Sequence, residues 1–273
     1  MYKRLLVPVD GSPIAESILP YALGICRATQ SQLTLVRVID DEGQRAKAGE
    51  YVDALAAKLQ AEGLCVSADG DVAAALLKEV ARVPGTLLAM TTHGRSGLLG
   101  VVLGSVAMKA LRAGGKAPML MYRPHERFTG DPSQPVDISR VLVPMDSTPS
   151  AESMGNEAAE FARWIGVRVA VISVIDSSAL ADSGAPSGDL QESSYVQSRA
   201  AELGKRHGVE YSWEVLHGKK PDQTIADFVG DDRTTMLAMV TRAHAAPVSA
   251  ALLGSVATGC LRKAGVPILI RMA

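Results

Sequence analysis

Aromatic side chains are scarce, at 4% of 273 residues, although 47% of the chain is hydrophobic. An aromatic binding platform has little to build on, and an Ala/Val/Leu-rich α/β core is expected instead. Neither sign of charge is in excess: 28 Lys and Arg stand against 29 Asp and Glu, a net of -1. With no long basic run, binding to nucleic acid or to an anionic membrane lacks electrostatic support. Cysteines are few as well. Cys26, Cys65 and Cys260 are scattered and odd in number, which argues against a disulfide framework or a Cys-based zinc site and for a reducing compartment. Long hydrophobic runs are missing: Leu98 to Met108 is interrupted by glycines and falls far below the ~20 residues that span a bilayer. The first strand begins almost at Met1, so no secretory leader is expected and the location expected is cytoplasmic.

What is present is alternation. Arg4 to Asp10 reads as a buried strand with a polar end, and Gly11-Ser12-Pro13 turns it into a helix with Ser12 as N-cap. Pro20 should bend that helix near its middle. Gln32 to Ile39 is a second β-branched run, and a polar loop, DEGQRAKAG, leads to a helix around Tyr51 to Ala61. A strand near Leu64 to Ala68, a helix from about Asp71 to Val83, the strand before Thr91 and a closing strand at Pro118 to Tyr122 follow. Strand and helix in this alternation imply a mainly parallel sheet covered on both faces. Residues 1–124 make one domain, the aperiodic Pro-rich stretch 125–137 a linker, and 138–273 a second domain.

The second domain repeats the first. Val7-Pro8-Val9-Asp10 returns 136 residues later as Val143-Pro144-Met145-Asp146, and Val38-Ile39-Asp40 as Val174-Ile175-Asp176. Leu103-Gly104-Ser105-Val106-Ala107 returns as Leu253-Gly254-Ser255-Val256-Ala257, now 150 residues later. A tandem duplication of one α/β domain outranks any single motif.

The chemistry-bearing stretch is Thr91 to Ser105, TTHGRSGLLGVVLGS, between an apolar strand and a helix. A glycine-rich loop there lets the backbone approach an anion, and the first free N–H groups of the helix point at it. Ser105 stands at the expected N-cap and offers a hydroxyl to a phosphate oxygen; the alternative is a glycine-tolerant turn with a capping serine. Asp10 and Asp146 sit at the carboxyl ends of first strands, where open α/β sheets bind ligands. Each either accepts from ribose hydroxyls or caps its own turn. His93 is either a base or a side chain turned to solvent, and Arg95 either pairs with a terminal phosphate or is a solvated charge. Walker A, dinucleotide and G-x-S-x-G patterns are absent, and His125, His207 and His217 lack metal-ligand spacing.

VPVDGSPIAE, VRVID, MTTHGRSG and LLGSVA together resemble the universal stress protein family in its tandem two-domain form. The family signature of glycine, two residues, glycine, nine residues, glycine and Ser/Thr fits Gly94, Gly104 and Ser105, with Thr91 in place of the first glycine. The resemblance implies two Rossmann-like domains of the adenine-nucleotide α-hydrolase type, each a five-stranded parallel sheet flanked by helices. It implies ATP or AMP as ligand, ATP bringing Mg2+. Asp10 would hold the ribose, the backbone of Val38 the adenine edge, and Gly94, Gly104 and Ser105 the phosphates, with Pro8, Met90 and Val106 shaping the pocket. Asp146, Val174, Gly254 and Ser255 would form a second site.

The function this implies is a nucleotide-binding stress regulator with little turnover. Its alternatives are a slow ATPase or phosphotransferase, for which no evident base, metal carboxylate pair or arginine finger speaks, and an interaction scaffold with a vestigial site. At the shift of 150, His244 stands over Gly94 and Pro247 over Gly97, so the first half is expected to be the competent site and the second degenerate. The apolar run Leu98 to Val102 makes a homodimer the expected assembly.

Overall fold

β1, Arg4–Pro8, carries Leu5, Leu6 and Val7 with no exposure at all, because neighbours flank it on both edges and helices cover its faces. A computed structural model describes residues 1–93, 103–124, 130–176, 187–241 and 254–273, with only the backbone of 187–189. Two units result, Met1–Asp137 and Ile138–Arg271. Among the described residues no helix is long and apolar enough to cross a membrane.

In the first unit, β2 (Gln32–Ile39), β3 (Glu62–Ser67), β4 (Thr86–Thr91) and β5 (Met119–Tyr122) join β1 in the order β3-β2-β1-β4-β5. β1 pairs in parallel with β2 and β4, as do β2 with β3 and β4 with β5. Helices α1 (Pro13–Glu16), α2 (Leu19–Thr29), α3 (Arg45–Leu59), α4 (Val72–Arg82) and α5 (Ser105–Gly114) connect them. Strand order reverses between β1 and β4, which opens a crevice above their carboxyl ends. The second unit repeats this with β6 (Arg140–Pro144), β7 (Arg168–Ile175), β8 (Tyr211–His217), β9 (Thr235–Thr241) and β10 (Ile268–Met272), ordered β10-β9-β6-β7-β8. Its helices are α6 (Pro149–Ile165), α7 (Ser187–His207), α8 (Pro221–Val229) and α9 (Ser255–Lys263).

Two local expectations change. Pro20 does more than bend its helix. It lacks the N–H that would close the preceding turn, and the chain breaks into α1 and α2 between Glu16 and Leu19. Asn156 holds the matching place in α6, which runs unbroken for 17 residues. The polar stretch after Asp40 is not a loop throughout: a 3₁₀ turn at Glu42–Gln44 leads directly into α3 at Arg45. Arg45 fixes that first turn by bonding Glu42, the Cys65 carbonyl at 3.1 Å and the Ser67 hydroxyl at 2.8 Å.

Residues 130–137 lie along the first unit rather than away from it. The Val136 N–H donates to the Pro20 carbonyl at 2.9 Å, and Lys58 pairs with Asp131 at 2.9 Å. Gly24 makes the close approach possible, since a Cβ there would lie 2.0 Å from the Val136 carbonyl oxygen. At the amino ends of the sheets a duplicated ionic anchor appears. Arg4 bonds Thr86 and Glu79, and Arg140 bonds Thr235 and Asp232.

Candidate nucleotide crevices at the strand ends

In the first unit the turn after β1 is built by Asp10. Its Oδ1 accepts the Ser12 N–H at 2.9 Å and the Ser12 hydroxyl at 2.6 Å, while Ser12 Oγ accepts the Ala15 N–H at 3.2 Å. The aspartate therefore caps its turn through the serine, and the serine caps α1. The two readings of Asp10 do not exclude each other, because this same residue lines a cavity of about 370 Å³. Gly11 takes φ +83 so that the chain can reverse between them.

Pro8, Val38, Met90, Thr91 and Val106 line that cavity with Asp10. The direction of the Val38 backbone follows from the ladder. The Val36 carbonyl accepts from Val9 at 2.9 Å on the β1 side, and the Ile39 carbonyl accepts from Ala68 at 2.8 Å on the β3 side. Backbone groups alternate along a strand, so the N–H and C=O of Val38 aim past the end of β1 into the crevice. Val174 is placed likewise, since Ile172 accepts from Met145 at 2.8 Å and Ile175 from Gly218 at 2.9 Å.

Ser105 is not the N-cap. Gly104 holds that position with extended φ −66, ψ 162 and no side-chain cap bond, and Ser105 is the first helical residue, exposed; neither lines the cavity, although the next residue, Val106, does. The reason is the neck of the loop: the Gly104 N–H is drawn to the Thr92 carbonyl at 2.7 Å. A Cβ on Gly104 would meet that carbonyl oxygen at 3.2 Å. His93 does not turn away to solvent. It lines the cavity, with Nδ1 3.0 Å from the Thr92 hydroxyl. Gly94, Arg95 and the run Leu98 to Val102 lie outside the described residues.

The second crevice is larger, about 620 Å³, and Asp146, Val174, Gly254 and Ser255 all line it. Asp146 repeats the turn: Oδ1 accepts from Thr148 N at 3.2 Å and from its hydroxyl at 2.6 Å, and Thr148 accepts from Ala151 at 3.3 Å. Gly254 is the N-cap of α9, again displacing the serine to the first helical position, and its N–H donates to Thr241 Oγ1 at 3.1 Å.

Strand register sets the correspondence of the two halves up to the start of each loop. Arg4 pairs with Thr86 and Leu6 with Leu88, while Arg140 pairs with Thr235 and Leu142 with Leu237. The strands are thus offset by 149 residues, not 150, and Thr241 corresponds to Thr92. From Thr92 to Gly104 and from Thr241 to Gly254 the second loop is one residue longer than the first. His244 and Pro247 themselves lie outside the described residues.

Several lining residues lack any motif. Arg37 and Gln44 line the first crevice, and Glu192, Pro221 and Ile225 the second. Arg37 carried a signal nonetheless: it is a charge inside the otherwise apolar strand LTLVRVI. Ser173 takes its place in β7 and donates to Glu192. The described walls therefore differ in charge, with Arg37 beside Asp10 and Asp40 in one and Glu192 beside Asp146 in the other.

The universal stress protein family model matches the chain twice, over residues 1–123 and 138–270. In fold the chain is similar to a universal stress protein from Archaeoglobus fulgidus, with TM-score 0.67 and 19% identity over 100% of this chain and 99% of that one. A functionally unknown protein from Pseudomonas aeruginosa is also similar, with TM-score 0.59 and 16% identity over 99% and 92%. At such identities the likeness concerns the fold. No curated protein matches the chain in sequence.

Proposed function

Because the chain belongs to the universal stress protein family, we propose that it is an adenine-nucleotide-binding regulator of a stress response, with the first half as the competent site. The observation that carries this reading is convergence. Asp10, the Val38 backbone, Met90, Thr91 and Val106 come from four separate elements and meet around one cavity at the strand-order reversal. Pockets of about 300–1,000 Å³ are of the size that small ligands and cofactors fill. Asp10 keeps its turn through Oδ1 and presents its carboxylate to a ribose, while the first N–H groups of α5 and the glycine loop receive the phosphates.

Asp146, Val174, Gly254 and Ser255 give the second half an adenosine-sized counterpart. Its phosphate side is weaker on two counts: no glycine stands between Thr241 and Gly254, where the first loop has Gly94, Gly97 and Gly100, and Glu192 adds a carboxylate to the wall. ATP would bring Mg2+ on its own phosphates, as this ion usually keeps several waters and few protein ligands.

Titration calorimetry with ATP and with AMP tests the reading, after any co-purified nucleotide has been removed by denaturation and identified. Binding of either nucleotide is expected, and binding of neither would overturn it. Phosphate release on prolonged incubation with ATP would move the reading towards a slow ATPase. The apolar run Leu98 to Val102 supports a homodimer; light scattering that reports 28.6 kDa at every concentration would exclude it.

A further inference from the structure

Beside the first crevice lies a second cavity of about 430 Å³, lined by Gly11, Arg37, Gln44, Lys47 and Tyr51 among others. Arg37 and Gln44 line both cavities, so they form a shared wall. Gly11, next to Asp10, lines the second cavity, whereas Asp10 itself lines the first. It carries two cations. Arg37 is half-buried, and among the described residues it donates only to the Val9 carbonyl, at a long 3.5 Å, and meets no carboxylate within ion-pair distance. Lys47 is exposed on α3. The acids of the neighbouring segments are otherwise arranged: Asp41 accepts from the Gly43 N–H at 2.9 Å and Glu42 pairs with Arg45. Glu16 accepts from the Tyr51 hydroxyl at 2.7 Å, Asp10 holds its own turn, and Asp40 lines the first crevice only. Burial, and then the Glu16 carboxylate, push the Tyr51 phenol well above its ordinary value, so it remains a neutral donor.

We propose that the Arg37–Lys47 cavity is a second anion subsite, and that the first half prefers an adenine nucleotide bearing a further phosphate on its ribose 2′ or 3′ oxygen. The inference rests on the nucleotide reading above, which places the ribose hydroxyl edge at Asp10. A phosphate on one of those oxygens leaves the other hydroxyl for Asp10 and extends past Gly11 toward the two cations. A half-buried guanidinium and an ammonium give charge-assisted bonds to a phosphate dianion. The second half lacks this device. Ser173 replaces Arg37, Ser147 replaces Gly11, and Glu192 occupies the wall.

Calorimetry at fixed ionic strength with 5′-AMP, adenosine 3′,5′-bisphosphate and adenosine 2′,5′-bisphosphate tests this. One bisphosphate is expected to bind about tenfold tighter than AMP, the size of one added charge-assisted contact. Arg37→Ser, which copies the second half, should bring that ratio near one. Lys47→Gln should lower it while leaving AMP affinity unchanged. If AMP binds and both bisphosphates bind no better, the subsite is overturned and the nucleotide reading stands. A preference that persists in Arg37→Ser also overturns the subsite. Failure of all three probes to bind overturns both.

Discussion

The two halves share a turn and differ in a wall. Asp10-Gly11-Ser12 and Asp146-Ser147-Thr148 make the same two-step cap with the same donor and acceptor atoms, to within a few tenths of an ångström. Yet the residue facing each crevice from the second strand of its unit is Arg37 in one and Ser173, bonded to Glu192, in the other. What duplication has kept is the backbone device that ends the first strand and starts the first helix. The charge that a ligand would meet has diverged. Half-to-half identity is therefore a guide to fold and a poor guide to specificity.

The largest expected difference between the halves lies in their ionic anchors. The Arg4 and Glu79 side chains are 3% and 8% exposed, against 18% and 38% for Arg140 and Asp232. Arg4→Ala should cost about 3 kcal/mol because it removes a buried guanidinium bonded to Thr86 and to the Glu79 carboxylate and carbonyl, although Arg82 still pairs with Glu79, while Arg140→Ala should cost about 1 kcal/mol. Urea unfolding of both variants decides this, and equal losses would contradict the burial argument. The anchors also set a pH dependence. Burial alone would raise the Glu79 carboxyl, but its bonds from Arg82 and Arg4 outweigh that and hold it below its usual value. Asp232 is likewise held low by Thr234, Thr235 and Arg140 against burial. A lowered folded pKa gives stability that is present above the unfolded value, about 4 for these groups, and is lost as pH falls through the folded one. Urea midpoints should therefore drop below about pH 4, and less steeply in Arg4→Ala.

Next in size is the glycine contrast. Gly24→Ala drives a Cβ to 2.0 Å from the Val136 carbonyl oxygen, whereas the matching Glu160 is exposed. The first change should cost about 2 kcal/mol, and Glu160→Ala no more than about 0.5 kcal/mol. Exchange protection of the Val136 amide should vanish with the first. Smallest is the turn itself. Ser147 holds φ +58 where its counterpart is Gly11, so Ser147→Gly should stabilise the second half by about 1 kcal/mol. An unchanged melting temperature would show that Ser147 carries no such strain.

Much of this fold was legible in the residues. The five strand runs of the first half, the repeat and the Asp-x-Ser/Thr turn stood out, because buried strands and helix starts are local signals. Three features were not. The loss of the N-cap by Ser105 depends on the Gly104 N–H reaching across the loop neck to Thr92, a contact that spacing does not encode. The inward placement of His93 depends on the same neck. The offset of 149 rather than 150 rests on which residue faces Arg140 in β9, and a one-residue insertion leaves no mark in an aligned motif. Arg37 is a middle case: its charge inside an apolar strand was visible, but not the cavity it opens onto.

Native mass spectrometry of the chain with excess ATP, in the wild type, Asp10→Asn and Asp146→Asn, tests the central claim most directly. Asparagine keeps an acceptor for the capping turn and removes the carboxylate that a ribose would meet. One nucleotide per chain is predicted for the wild type and for Asp146→Asn, with loss in Asp10→Asn. Two equivalent nucleotides in the wild type, or a single one lost only in Asp146→Asn, would contradict the assignment of the site to the first half.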